Sequence, residues 1–258
     1  MTTFSPDSVT MHGSKAWTGW ADLIPEQRWA IYRTVIEQAT TRNLPFALGG
    51  AFATATHTGR WRDTKDMDLY TLPPHGEAFK RLVEGIGLHD IYEELPYPRD
   101  VLYRATDGDT IVEVIWRMHN RHADVDLPWL TGWGQIEVRG IRFFVAPPEE
   151  MMWAKLYVFH RDRCDWTDVL NYVYFCGPGL DWQHLLDRLG PNVPLLGGLL
   201  CVFGWLSPTR AAMLPEWLWD RCGVRRPAAD SAGVSEQTRA ALLGGNSEWF
   251  GVQRRAAR

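Results

Sequence analysis

The chain has 258 residues, 45% of them hydrophobic and 14 of them tryptophan, enough to bury one large core or two small ones. Its formal net charge of −4 argues against a general nucleic-acid coat protein. No apolar run approaches the ~20 residues of a membrane span, and the N-terminus lacks the basic and apolar blocks of a signal peptide. Cys164, Cys176, Cys201 and Cys222 are scattered and form no Cys-x-x-Cys pair. They suggest neither a zinc site nor a disulfide framework, and a reducing cytoplasmic setting is expected.

Residues 1–20 read as an extended arm. From Pro25 to about Thr41, Trp29, Tyr32, Val35, Ile36 and Ala39 follow helical spacing, and Pro25 suits a first turn. Asn43-Leu-Pro45 breaks that helix. Phe46–Leu48 reads as a short buried strand, Ala51–Thr58 as a small-residue helix ending at Gly59, and Met67–Leu72 as a strand closed by Pro73-Pro74. Glu77–Ile86 looks helical. Val101–Thr106 and Thr110–Met118 flank Asp107-Gly108-Asp109, a hairpin signal, and Gln135–Val138 with Ile141–Val145 around Arg139-Gly140 give a second one. From Pro147 the pattern turns helical, with candidates near 148–160, 165–176, 181–189, 195–206 and 209–220. The tail rich in Ala, Gly, Ser and Arg reads as poorly ordered. The expected layout is α/β (α+β): a mixed-sheet core over 1–146, a helical part over 147–225 and a tail over 226–258.

The chemistry concentrates between Leu48 and Leu69. A short apolar run ends in Gly49-Gly50; a helix follows, then a basic turn carrying Arg62, Thr64 and Lys65; then Asp66 and Asp68 alternate along the strand. Alternation puts both carboxylates on one face. Carboxylates held that close repel each other unless a cation lies between them. The natural cation is a hard divalent ion, and Mg²⁺ arrives with phosphates. Paired glycines let backbone approach a phosphate next to a helix N-terminus. Glu113 lies mid-strand in the first hairpin, where it is either an exposed-face residue or a third carboxylate for a phosphoryl-transfer site. Asp109 belongs to the turn. His57 reads as a helix-end residue, with no second histidine placed to share a metal.

Lysine is rare here: Lys15, Lys65, Lys80 and Lys155 stand among many arginines. Met151, Lys155 and Phe159 are expected on one helical stripe. That makes Lys155 either a snorkelling side chain or a phosphate contact. Asp165, Asp168 and Tyr172 share a second stripe, with salt bridges to Arg161 and Arg163 the favoured role for the acids. The many indoles, Trp129, Trp153, Trp182, Trp205 and Trp219 among them, are expected mostly as packing residues.

The segment Leu48-Gly49-Gly50 … Arg62-x-Thr64-x-Asp66-x-Asp68-Leu69 resembles the signature of the DNA-polymerase-β-like nucleotidyltransferases. It is most similar to small bacterial enzymes of the abortive-infection and toxin–antitoxin type and to antibiotic nucleotidyltransferases. The resemblance implies that Gly49 and Gly50 hold nucleotide phosphates, with Arg62, Thr64 and Lys65 as further nucleotide contacts. It implies that Asp66 and Asp68 bind Mg²⁺ or Mn²⁺, and that Glu113 is the third acid, ligating metal and activating the attacking hydroxyl. Ala146–Leu170 resembles the Lys…Arg…Asp-x-x-Asp-Leu helices of the abortive-infection type, which gives Lys155 a triphosphate role. The activity so implied moves an NMP from an NTP such as ATP to a hydroxyl on a small molecule, a tRNA end or a protein, releasing pyrophosphate. The alternatives are a nucleotide-binding regulatory or antitoxin-like partner of another protein, without turnover, and an ordinary binding domain with a chance Asp-x-Asp.

Overall fold

The computed structural model describes residues 16–228 and 235–244. The chain forms two compact units. The first runs up to Thr56 and resumes over Trp61–Met151; the second comprises His57–Arg60 and the chain from Met152 onward.

The first unit is built on a mixed seven-stranded sheet. Its strands are β1 (Ala47–Leu48), β2 (Asp66–Tyr70), β3 (His89–Asp90), β4 (Leu102–Thr106), β5 (Ile111–Ile115), β6 (Gln135–Val138) and β7 (Ile141–Val145), in the order β3-β4-β5-β2-β1-β7-β6. β2 pairs parallel with β5 and β1 parallel with β7; the other pairings are antiparallel. Both expected hairpins form, and the second turns at Arg139 and Gly140 with φ of 47° and 78°. Two consecutive positive φ values are what a two-residue turn between twisted strands requires.

Helix α1 (Glu26–Thr41) buries Trp29, Tyr32, Val35, Ile36 and Ala39, the stripe its spacing dictates. Pro25 stands just outside it as the N-cap, with φ −54° and ψ 138°. Helix α2 (Gly50–Thr58) follows β1, and α3 (Gly76–Gly85) buries Phe79, Leu82 and Val83. A short helix, α4 (Leu127–Thr131), precedes the second hairpin. The expected arm is not extended where it is described: Gly19–Leu23 is a 3-10 turn with Trp20 fully buried, and residues 1–15 lie outside the described part. The Trp20 ring meets Phe52 edge-on at 5.0 Å and stacks on Trp61 at 6.2 Å, so aromatic burial decides this segment.

The second unit takes the end of α5 (Pro148–Leu156), then α6 (Trp166–Cys176), α7 (Trp182–Leu189), α8 (Val193–Leu206), α9 (Pro208–Ala211), α10 (Glu216–Arg221) and α11 (Glu236–Gly244). Four expectations are corrected here. The helix expected over 148–160 stops at Leu156, and a two-stranded ribbon, β8 (Phe159–His160) with β9 (Arg163–Cys164), follows. Phe159 therefore leaves the stripe of Met151 and Lys155. The single helix expected over 209–220 is two, because Pro215 cannot donate to a helical ladder and pushes Leu214 away from helical geometry.

The remaining two concern the C-terminal stretches. The tail holds α11, tied by a hydrogen bond from the Ser207 hydroxyl to Glu236. Trp182–Leu206 is 25 residues of helix and turn, long and apolar enough by length and composition to cross a membrane, with mean hydropathy 1.5. The turn Gly190–Asn192 divides it, and Leu196, Leu199, Leu200, Phe203 and Leu206 are fully buried. The indoles behave largely as expected: Trp129, Trp153, Trp182 and Trp219 are buried, whereas Trp205 and Trp217 are exposed.

Candidate functional site

The site begins where β1 runs into α2. Gly49 donates its N–H to the Asp68 carbonyl at 2.9 Å and accepts from the Ala53 N–H at 2.9 Å. The Tyr70 ring covers its Cα, and a Cβ there would lie 2.0 Å from the ring. The Gly49 N–H is thus already used within the sheet, and this glycine is required for packing. Gly50 has φ +51°, and a Cβ on it would lie 1.5 Å from Asp68 Oδ2. The Asp68 carboxylate thus fills the space a side chain at position 50 would take. It sits at the N-terminal end of α2, where negative charge is favoured.

Register then assembles the acids. β2 begins at Asp66, one residue earlier than expected, so both aspartates belong to the strand. Met67 and Leu69 are buried on one face; Asp66, Asp68 and Tyr70 lie half-buried on the other. On β5, Val112 and Val114 are buried and Glu113 lies on the same face as the aspartates, directly opposite Asp68. β4 continues the row, with Arg104 directly opposite Glu113. Arg104 Nε donates to Glu113 Oε1 at 2.7 Å, with side-chain exposures of 18% and 13%. Among the described residues no group of three or more His, Cys, Asp or Glu side chains is disposed to hold a metal ion. Arg104 engages the acid expected as a third ligand. Asp66 and Asp68 themselves fit a divalent ion. They are oxygen donors on one strand face, beside a glycine cradle that a Cβ would close.

The basic turn is fixed from α1. Arg28 donates to the Thr64 carbonyl at 2.8 Å, and the Tyr32 hydroxyl donates to the Lys65 carbonyl at 2.8 Å. Thr64 Oγ1 accepts from the Asp66 N–H at 3.1 Å, so this hydroxyl shapes the strand entrance. Arg62 and Lys65 expose their side chains, held by no ion pair or hydrogen bond among the described residues. Burial pushes the Tyr32 hydroxyl well above its ordinary pKa; Arg28 pulls it partly back, and Asp66 and Asp68 push it further. Tyr32 therefore remains a hydrogen-bond donor at neutral pH. Sequence reasoning missed Tyr32 and Arg28 here because it assigned Tyr32 to the core stripe alone. Arg104 was missed as well, although the hairpin it shares with Glu113 is legible. Asp109 is a turn residue, its N–H bonded to Asp107 Oδ1 at 3.1 Å.

Lys155 belongs to the second unit. Its ammonium donates to Asp168 Oδ2 at 2.7 Å and Asp165 Oδ2 at 3.3 Å, and its side chain is 13% exposed. Arg163 adds a two-pronged contact to Asp165, at 2.9 and 3.0 Å. The expected Arg163 bridge is present at Asp165, whereas Asp168 is held by Lys155, which also reaches Asp165. His57 is buried at the end of α2, its ring 5.9 Å from that of Tyr172.

No protein-family model matches the chain, and no curated protein matches it. Solved structures do. The antibiotic-resistance factor ANT(2'')-Ia, in complex with adenylyl-2''-tobramycin, is similar at 21% identity and TM-score 0.40, over 69% of this chain and 97% of that one. The lincosamide antibiotic adenylyltransferase LnuA, lincomycin-bound, is similar at 11% identity and TM-score 0.39, over 57% and 96%. JHP933 from Helicobacter pylori is similar at 14% identity and TM-score 0.41, over 86% and 93%. They are distant, and the case for the site rests on its own geometry.

Proposed function

We propose that this chain transfers a nucleoside monophosphate from an NTP to a hydroxyl acceptor, with Mg²⁺ or Mn²⁺ held by Asp66 and Asp68. The observation that carries this reading is the Asp68 carboxylate seated against Gly50, with Asp66 beside it and Glu113 in register one strand away. A bound divalent ion would supply neutralisation of the phosphate charge. Asp66 and Asp68 hold that ion, and the exposed Arg62 and Lys65 stand ready to meet phosphate oxygens. Glu113 is the carboxylate nearest in register to accept the proton of an attacking hydroxyl. A small molecule, a tRNA end and a protein side chain all offer such a hydroxyl. A cytoplasmic setting, which supplies NTP and Mg²⁺, suits this chemistry.

The Arg104–Glu113 contact favours a second reading, in which the chain binds nucleotide without turnover as a regulatory or antitoxin-like partner of another protein. A screen with α-labelled NTPs against RNA, protein and small-hydroxyl pools separates the two. Under the first reading label moves to one pool only with Mg²⁺ or Mn²⁺, and Asp68→Asn abolishes the movement. Nucleotide binding with no transferred label supports the second. Failure to bind any NTP removes both.

A further inference from the structure

Ahead of β2, residues 61–64 have no regular secondary structure. On the nucleotidyl-transfer reading this stretch carries Arg62 and leads into Lys65. A loop that had to become ordered around a phosphate would lose affinity by the entropy of that ordering. The C-terminal end of the stretch is tied to α1, which reaches the Thr64 carbonyl through Arg28 and the Lys65 carbonyl through Tyr32. Its N-terminal end is tied by one ring, that of Trp61.

Trp61 is half-buried. Its ring stacks on Trp20, with centroids 6.2 Å apart and 14° between the planes, and lies 5.6 Å from the Phe52 ring. Among the described residues it makes no hydrogen bond, so ring packing is what holds it. Its two supports are themselves fixed. Trp20 and Phe52 are buried, and the Trp20 indole N–H donates to Thr56 Oγ1 at 3.0 Å. The Trp17 N–H donates to the Thr56 carbonyl at 3.0 Å, and Phe52 meets the Tyr32 ring edge-on at 5.6 Å. Tyr32 is also the residue whose hydroxyl holds the Lys65 carbonyl. Both ends of the turn are therefore referred to one aromatic cluster of Trp20, Tyr32, Phe52 and Trp61. Arg62, exposed, follows directly on the anchored ring.

We infer that Trp61 is a positioning residue that presets Arg62 for a triphosphate before any nucleotide arrives. This rests on the nucleotidyl-transfer reading and adds how the phosphate-binding turn is held. Trp61 acts through Arg62 and not by touching phosphate itself. The ordering of the turn is then completed when the chain folds, and binding does not have to supply it.

The test uses inorganic tripolyphosphate with Mg²⁺, titrated calorimetrically into purified full-length protein well below its melting transition. Trp61→Leu keeps an apolar side chain and removes the stacked ring, and is expected to weaken binding about tenfold. Trp61→Phe is expected to restore it to within about threefold. Arg62→Gln is expected to weaken binding as well, and Trp61→Leu added to it to cost nothing further, since the two residues act as one unit. A merely structural tryptophan would lower the melting temperature and show no such coupling. Unchanged affinity in a folded Trp61→Leu overturns the inference, and so does an equal loss with and without Arg62. Limited trypsin digestion of nucleotide-free wild type decides it even where Trp61→Leu does not fold. Arg62 and Lys65 are exposed trypsin sites, and a preset turn keeps the bonds after both intact while the protein is folded. Rapid cleavage after either overturns the inference. Wild type that binds NTP but no tripolyphosphate overturns it too. In each of these cases the nucleotidyl-transfer reading survives as long as wild type binds NTP. If wild type binds neither, that reading itself fails, and this inference falls with it.

Discussion

Two residues show how far a single side chain decides the outcome. Gly50 combines a positive φ with a carboxylate where its Cβ would be. The left-handed backbone alone costs a non-glycine residue about 1–2 kcal/mol, and the clash forces Asp68 to move. Gly50→Ala is expected to lower the melting temperature and to abolish Mn²⁺ binding; wild-type values for both would show that the Gly50–Asp68 contact is incidental. Lys155 is the second case. With its charge committed to Asp165 and Asp168, Lys155→Met is expected to destabilise the free protein by about 1.5–3 kcal/mol, the scale of a lost charged hydrogen bond. A pure triphosphate contact would instead leave the free protein's stability alone and weaken NTP binding, so denaturant melts with and without NTP distinguish the two roles. The pair also sets a pH dependence. Burial pushes the Asp165 carboxyl up, but Arg163 and Lys155 outweigh it and hold its pKa below the ordinary value. A depressed carboxylate contributes stability that is present above the unfolded pKa of about 3.9 and is lost as pH falls through the folded value. Acid unfolding of wild type is therefore expected to be steeper below about pH 4 than that of Asp165→Asn.

At the scale of elements, the site depends on how α1 grips the strand entrance. Tyr32 and Arg28 each reach a backbone carbonyl of the turn before β2, so a helix on one side of the sheet sets where Asp66 begins. Tyr32→Phe keeps the buried ring and deletes one hydrogen bond. It is expected to cost about 0.5–1.5 kcal/mol and to speed amide exchange at Ile111, whose N–H donates to the same Lys65 carbonyl at 2.9 Å. Unchanged exchange there would mean that the strand ladder alone fixes the turn. The same segment shows what local pattern can and cannot convey. The stripe of α1 is visible in the spacing of Trp29, Tyr32, Val35, Ile36 and Ala39. That the Tyr32 hydroxyl points to residue 65 is not, because the contact spans 33 positions in sequence. The end of α5 at Leu156 was illegible for a related reason: Tyr157–His160 suits either a helix or a ribbon, and pairing with Arg163 and Cys164 decides.

For the molecule as a whole, nucleotide binding is expected to depend on the divalent ion, since Mg²⁺ relies on phosphate oxygens to complete its shell. Calorimetric titration of a non-hydrolysable NTP in EDTA should show at least a tenfold loss relative to Mg²⁺, a difference of about 1.4 kcal/mol; equal affinities would remove the metal from the site. Sequence alone determined the period-driven parts of this protein: the amphipathic helix, both hairpins, the glycine pair, and the alternation that puts Asp66 and Asp68 on one face. These follow from spacing within a few residues, where side-chain periodicity is fixed by backbone geometry. Tertiary structure decided the rest. Only the parallel pairing of β2 with β5 sets Glu113 opposite Asp68, and only the β4–β5 register hands that acid to Arg104. Only packing against Tyr70 makes Gly49 a close-packed corner. Pairing between distant strands is settled by the common burial of Met67, Leu69, Val112 and Val114, a free energy that belongs to the assembled sheet and to no single segment of the chain.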